Sequence, residues 1–145
     1  MLKLRLLAAA IVAAFAIVAA AGPAAADEAP ISYNISTDDA WAAGMALAQA
    51  NVATSRGHKV TVFLNVRGVH LADKAAELGT FGPVKKTPAE LLSSLIEKDQ
   101  QVLVCGTCMR AGGVSKDDLL DGVVVSNPDR MFGTLTQPGT IVLSY

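Results

Sequence analysis

Five short runs rich in β-branched and apolar residues are spaced along this chain, with longer segments between them. They are ISYNI (31–35), KVTVFLNV (59–66), QVLVC (101–105), GVVVS (122–126) and TIVLSY (140–145). The third constrains the architecture most. It is an almost unbroken apolar stretch without polar alternation, the pattern of a strand covered on both faces. Strands joined through intervening helices are mostly parallel, because a tight turn can only return a chain antiparallel. Right-handed crossovers then lay the helices against the sheet. The expected fold is α/β: a three-layer α/β/α sandwich around a mainly parallel five-stranded sheet.

The segments between the runs carry helix signals. Ser36, Thr37, Asp38 and Asp39 offer capping side chains, and acid in a first turn suits the helix dipole. Trp41, Met45, Ala48 and Val52 recur at helical spacing, which predicts a helix over 38–55 with that stripe as its apolar face, closed by Arg56-Gly57. VHLADKAAEL suggests a helix at 70–78, and GTFGPVKK is a loop broken by Gly and Pro. Thr87-Pro88-Ala89-Glu90 combines a capping box with Pro at the first helical position. Leu91, Leu92, Leu95 and Ile96 supply that helix with a buried side. Ser115 to Asp118 predicts a further short helix stopped by Gly122, and Asn127-Pro128 opens one that runs to about Leu135. Trp41, Phe63, Phe81 and Phe132 are expected in the core, with Phe81 set apart by its place in the loop. The last run reads as a buried strand, so loss of Tyr145 and its neighbours should be poorly tolerated.

The overall composition, 52% hydrophobic and 17% charged, is distorted by the N-terminus. Lys3 and Arg5 precede an apolar run from Leu6 to Ala21, Gly22-Pro23 breaks it, and Ala24 to Ala26 give an A-x-A exit. That order is the signature of a cleaved secretory signal over residues 1–26. The run is shorter than the roughly 20 residues of a spanning helix, and alanine inserts weakly. Export places the mature protein in the periplasm of a bacterial cell, with no membrane association after cleavage. Residues 27–145 then form one domain of ordinary size. Of the 12 basic residues two lie in the leader, and all 13 acidic residues lie beyond it, so the mature net charge is 10 − 13 = −3. The basic residues are scattered, with Lys85-Lys86 the only adjacent pair. Nothing resembles the basic stripe that a phosphate backbone requires, so nucleic acid is not an expected partner.

Both cysteines lie three positions apart in VLVCGTCMRAGG (102–113). Cys105 ends the third run, and ligands of open parallel sheets gather at the carboxyl ends of strands. Gly106-Thr107 turns the chain, Cys108 falls in the first turn of a short helical segment, and Gly112-Gly113 ends it. A helix start beside Cys105 stabilises a thiolate, the nucleophilic form. Arg110 adds positive charge nearby, and the glycines permit close approach of a partner. A structural zinc site needs four ligands, so His58 and His70 would have to join the two cysteines. They flank the second strand on opposite sides, which argues against it, and each reads as an ordinary loop side chain. A structural disulfide suits an exported protein but would close a very short loop, where its effect on stability is least. Packing of two small thiols remains open. No G-x-S-x-G elbow, Walker loop or G-x-G-x-x-G is present, and neither a cofactor nor a metal is expected.

These stretches resemble the DsrE/DsrF-like family of small sulfur-handling proteins, which includes TusD-type carriers. The resemblance is carried by NISTDDAW, by GHKVTVFLNVRGVHLADK, by VLVCGTCMRAGGVSKDDLLDGVVVS and by the final PGTIVLSY, and spans nearly all of 31–145. It implies that Cys105 occupies the position at which relay members receive sulfur as a persulfide. Cys108 matches a second cysteine of C-x-x-C members, a resolving or sulfur-sharing partner. Where members often show Arg-Gly, this chain has Gly112-Gly113. The resemblance further implies a trimeric or hexameric homo-oligomer, and sulfur donor and acceptor proteins or small sulfane-sulfur compounds as partners. The expected function is an exported persulfide carrier of sulfurtransferase type. A thiol–disulfide oxidoreductase and a non-catalytic oligomeric binding module are the alternatives.

Overall fold

A computed structural model describes residues 28–145. The segment expected to be a signal peptide lies outside the described residues. The described chain runs β1 (Ile31–Ile35), α1 (Ala40–Ser55), β2 (Val60–Leu64), a 3-10 helix (Val66–Ala72), α2 (Pro88–Ile96), β3 (Gln101–Cys105), α3 (Gly106–Gly112), β4 (Val124–Ser126), α4 (Pro128–Leu135) and β5 (Ile141–Ser144). The five strands form one sheet in the order β4-β3-β2-β1-β5, and every pairing is parallel. The expected α/β class and five-stranded sheet are therefore present.

The order explains the layers. From β1 to β4 the chain steps in one direction, so right-handed crossovers put α1, α2 and α3 on one face. The return from β4 to β5 runs the other way and places α4 on the opposite face. Accordingly, Tyr33, Ile35, Val62, Leu64, Val102 and Val104 pack with Leu47, Leu91, Leu92, Leu95 and Met109 in the main core. Alternate residues Phe63 and Leu103 are buried toward the second face. There Met131 of α4 lines a hollow with Phe63.

Local chemistry sets the helix starts. The Asp39 side chain accepts the Ala42 N–H at 2.8 Å, and Thr87 and Glu90 complete a reciprocal capping box on α2. The amide nitrogen of Asn51 donates to the Leu91 carbonyl at 3.1 Å, tying α1 to α2.

Where the structure departs from the sequence expectations, tertiary contacts supply the reason. α1 buries Ala43, Gly44, Ala46, Leu47, Ala50 and Ala53, while Trp41, Met45 and Val52 face outward. The helix is apolar on more than one side, and the side with small residues wins because it lets the backbone approach the sheet. No helix forms at 73–78. The Asp73 side chain accepts the Ala75 N–H at 2.8 Å, a local bond that competes with helix, and Asp73 pairs antiparallel with Leu119. The same pairing removes the helix expected after Ser115. Lys74 N–H donates to Asp118 and Leu120 N–H to Ala72, while the Ser115 hydroxyl bonds the Asp118 carboxylate at 2.6 Å.

Of the aromatics expected in the core, Phe63 and Phe81 are buried, but Trp41 and Phe132 are 66% and 58% exposed. Phe81 anchors the Gly/Pro loop beneath α1, with Trp41 edge-on at 5.5 Å. The last strand is not buried as expected. β5 lies at the sheet edge, and Ile141 and Val142 are each about half exposed. Its anchor is Tyr145, which stacks on Tyr33 at 6.3 Å and exchanges backbone hydrogen bonds with Asn34 and Ser36.

Two outcomes follow. A Cβ on Gly44 would lie 2.4 Å from Phe81 Cβ. Overpacking of this kind costs about 1–3 kcal/mol, against about 1 kcal/mol of helix propensity gained. Gly44→Ala should therefore lower the thermal midpoint in a calorimetric scan despite adding a better helix former. Deletion of Tyr145 removes two backbone hydrogen bonds and an aromatic stack, a loss of about 2–4 kcal/mol measurable by urea titration.

Candidate functional site

The carboxyl ends of β1, β2 and β3 finish nearly level, because Ile35 pairs with Leu64 and Leu64 with Val104. Their exit loops are stitched together. Asn65 N–H donates to the Ile35 carbonyl at 3.0 Å, and Arg67 N–H to the Ser36 carbonyl at 3.2 Å. Gly68 is pressed so closely on β1 that a Cβ there would sit 2.3 Å from the Ile35 oxygen. Only glycine permits this approach.

Cys105 is both the last residue of β3 and the N-cap of α3. Its Sγ accepts the Cys108 N–H at 3.3 Å, as a serine oxygen would in an ordinary cap. Both thiols are free and half-buried. Gly106 packs under Val125, where a Cβ would be 3.1 Å from Val125 Cγ1. Arg110 Nη2 donates to the Thr107 hydroxyl at 3.2 Å. Gly113 caps α3 in the left-handed region at φ +74, whereas Gly112 leaves room for the imidazole of His70.

The two sulfurs open on different hollows. Cys105 lines one of about 210 Å³ with Phe63, Gly106, Thr107, Ser126, Asn127, Pro128 and Met131. Cys108 lines another of about 450 Å³ with Val66, Arg67, His70, Thr107, Ala111 and Gly112. Thr107 stands between them and belongs to both.

Burial pushes the Cys108 thiol up, and its hydrogen bond with the Cys105 sulfur raises it further, while a backbone hydrogen bond from Val66 acts the other way. Val66 holds that place at φ +48, an unusual conformation for a β-branched residue. Such strain is retained only where the surroundings enforce it. Here the bonds on either side, from Asn65 and Arg67 to β1, enforce it. Arg67 makes a two-pronged ion pair with Asp38, at 2.9 and 2.7 Å, and this guanidinium holds the Asp38 carboxyl below its ordinary range.

All seven sequence-predicted residues thus lie in or beside one short segment. Cys105, Gly106 and Thr107 line the first hollow and Thr107, Cys108 and Gly112 the second. Arg110 and Gly113 line neither hollow, one braced on Thr107 and the other capping α3. Sequence reasoning missed Asp38, Arg67 and His70. The rule that sites gather at strand exits points to Ser36–Asp39 and to NVRGVH as much as to the cysteines. His70, read as an ordinary loop side chain, shares the hollow of Cys108. His58 lies elsewhere, with Nδ1 2.8 Å from the Ala29 carbonyl, so the two histidines do not converge. Among the described residues, no group of three or more His, Cys, Asp or Glu side chains is placed to hold a metal ion. None of the described helices is long and apolar enough to cross a membrane.

A family model for the DsrE/DsrF-like family matches residues 14–140. The chain belongs to the DsrE/DsrF-like family. Among curated relatives, the uncharacterized protein MK0008 of Methanopyrus kandleri is 36% identical over 78 residues. That alignment covers 54% of this chain and 61% of the relative, so the chain matches less than two thirds of its length. The uncharacterized protein MJ0989 of Methanocaldococcus jannaschii is 29% identical over 100 residues, 67% of this chain and 82% of that one.

Two solved structures share the DsrE/DsrF-like fold. The ychN protein of E. coli superposes with a TM-score of 0.69 at 17% identity, and MTH1491 of Methanobacterium thermoautotrophicum, titled a protein of unknown function, with 0.65 at 18%. Each match covers 81% of this chain and all of the other.

Among the described residues, three carboxyls sit below their ordinary range: Asp38 through Arg67, Glu90 through Thr87 and Asp118 through Ser115. A depressed carboxyl stabilises the fold above its unfolded value and loses that contribution as pH falls through the folded one. The thermal midpoint should therefore decline as the solution is taken below about pH 4. Asp38→Asn should lower the midpoint at neutral pH and make the acid decline shallower, as followed by calorimetry across that range.

Proposed function

We propose that this DsrE/DsrF-like protein is an exported carrier of sulfane sulfur, with Cys105 as its nucleophile and Cys108 as a second thiol. The observation that carries the reading is the placement of Cys105. It ends a central parallel strand, opens on a hollow, and accepts a backbone N–H at its sulfur. Family membership supports sulfur relay in general, and the resemblance around VLVCGTC supports this cysteine in particular. The raised Cys108 thiol is in keeping with a second, later role, since burial favours its protonated form.

In the loading step the Cys105 thiolate attacks the outer sulfur of a persulfide or polysulfide donor. One S–S bond forms, the donor's S–S bond breaks, and the donor departs as a thiolate with the bonding pair. The transferred atom remains sulfane sulfur, so no external oxidant or reductant enters.

Export rests on the N-terminal pattern of residues 1–26, followed by one sulfur-handling domain. Homo-oligomeric assembly is supported by Trp41, Met45 and Val52, which α1 leaves as an exposed apolar stripe. The two neighbouring thiols also make a dithiol–disulfide cycle chemically available, and the same experiment separates the two readings.

Purified protein treated with inorganic polysulfide should gain about 32 Da, one persulfide sulfur, on the peptide carrying Cys105. Cys105→Ser should abolish the adduct, whereas Cys108→Ser should load it. Intact mass spectrometry under non-reducing conditions reads both. A wild-type protein that forms only an internal disulfide, two hydrogens lighter and without added sulfur, would sink the carrier reading.

A further inference from the structure

Resting on the carrier reading, we infer that the two cysteines work as an internal hand-off between separate mouths: Cys105 is loaded on the α4 side by short sulfane-sulfur species, and Cys108 delivers on the other side to an anionic peptide thiol.

The two hollows differ in the ways that matter to a substrate. The Cys105 hollow is the smaller, about 210 Å³. Phe63, Pro128 and Met131 form its apolar walls, and none of its lining side chains carries a charge. A slender, polarizable sulfur chain fits such a slot, with the Met131 thioether as a soft neighbour. A branched thiol bearing carboxylates would have to shed water from its charges there without compensation.

The Cys108 hollow has about twice the volume and presents Arg67 and His70. Asp38 engages Nε and Nη2 of Arg67, leaving Nη1 outside that ion pair, and the arginine side chain is 72% exposed. The Asp38 pairing fixes the guanidinium plane rather than removing it from the hollow. An incoming carboxylate can therefore meet an oriented donor. Thr107 separates the two mouths, so donor and acceptor do not compete for one opening.

The Cys108 N–H already bonds the Cys105 sulfur at 3.3 Å, so the two cysteines start from adjoining positions. The Cys108 sulfur attacks the outer sulfur of the Cys105 persulfide. A new S–S bond forms on Cys108, the Cys105 S–S bond breaks, and the Cys105 sulfur leaves with the electron pair. It takes up the proton that Cys108 gives up. The outer sulfur keeps its own hydrogen, so charge and oxidation level are unchanged. The acceptor thiolate then attacks the same outer sulfur on Cys108, leaves as a persulfide, and returns Cys108 as thiolate.

The test loads the full protein with inorganic polysulfide, removes excess reagent, and chases with glutathione as the anionic peptide thiol or 2-mercaptoethanol as an uncharged one. Adducts are mapped by mass spectrometry and the product persulfide is timed. Cys108→Ser should load Cys105 fully yet deliver to glutathione about ten-fold more slowly or worse. Met131→Trp should slow loading by about ten-fold while a loaded sample delivers at the wild-type rate. Arg67→Gln should load normally and slow delivery to glutathione but not to 2-mercaptoethanol.

Delivery by Cys108→Ser at the wild-type rate would overturn the hand-off while leaving the carrier reading intact. So would equal effects of Met131→Trp and Arg67→Gln on both steps. Failure of the wild type to load at all would overturn the carrier reading and the hand-off together. Circular dichroism on each variant separates these results from loss of fold.

Discussion

The close contact of Gly68 with the backbone of β1 is the constraint on which the rest of this molecule depends. Parallel strands in register end level, but level ends alone do not make a site. The exit loop of β2 must run back over the end of β1, and the absence of a side chain at Gly68 lets it do so. Once it does, the Asn65 and Arg67 amides find partners on Ile35 and Ser36. Buried backbone donors rarely go unpaired, so these bonds fix the loop rather than decorate it. Val66 is forced left-handed between them, Arg67 is delivered to Asp38, and His70 is carried toward α3. The cysteines come from β3, but the walls around Cys108 come from this loop.

The same constraint explains why the departure from the family pattern at Gly112 does not leave the cysteines without a cation. The resemblance implies an Arg-Gly pair where this chain has Gly112-Gly113. Here the second glycine is needed by the left-handed cap of α3, and the first meets the His70 ring, which a Cβ would approach to 3.3 Å. A larger residue at 112 would displace the imidazole. The guanidinium in this hollow arrives instead from the 3-10 helix after β2, as Arg67. Arg67 and His70, both on the 3-10 helix that follows β2, thus line the hollow beside Cys108.

Much of this was legible in the chain itself, and the failures share a cause. The strands were readable because β-branched runs bounded by Gly, Pro and capping residues have few other uses. The capping box at Thr87 and the N-cap start of α4 were readable because they are local hydrogen bonds. The errors arose wherever a distant segment competed. Asp73 prefers Leu119 to its own helix, and the Ser115–Asp118 turn feeds that same pairing. On α1 the apolar stripe of Trp41, Met45 and Val52 was periodic but so was the small-residue stripe behind it, and periodicity cannot rank two apolar faces. Cys105 and Cys108 were found by motif and position. Asp38, Arg67 and His70 were not, because polar residues at strand exits look like solvated loop until the fold shows which exits touch.

Why the two cysteines open on different hollows is a matter of strand parity and strand order. Successive side chains of a strand alternate between faces. Val102 and Val104 enter the core beneath α1 and α2, so Leu103 and Cys105 point to the other face. That face is roofed near β3 and β4 by α4, because the chain must cross back from β4 to reach β5. Cys108 is no longer on the strand. It sits on α3, whose Met109 packs in the main core on the first face, and it meets the loop from β2. One residue more or fewer in β3 would turn Cys105 inward and leave valine at the mouth under α4. The three-residue spacing of C-x-x-C therefore does more here than bring two sulfurs together. It places them across the boundary between pleat and helix, joined by the bond from the Cys108 N–H to the Cys105 sulfur while facing different surroundings.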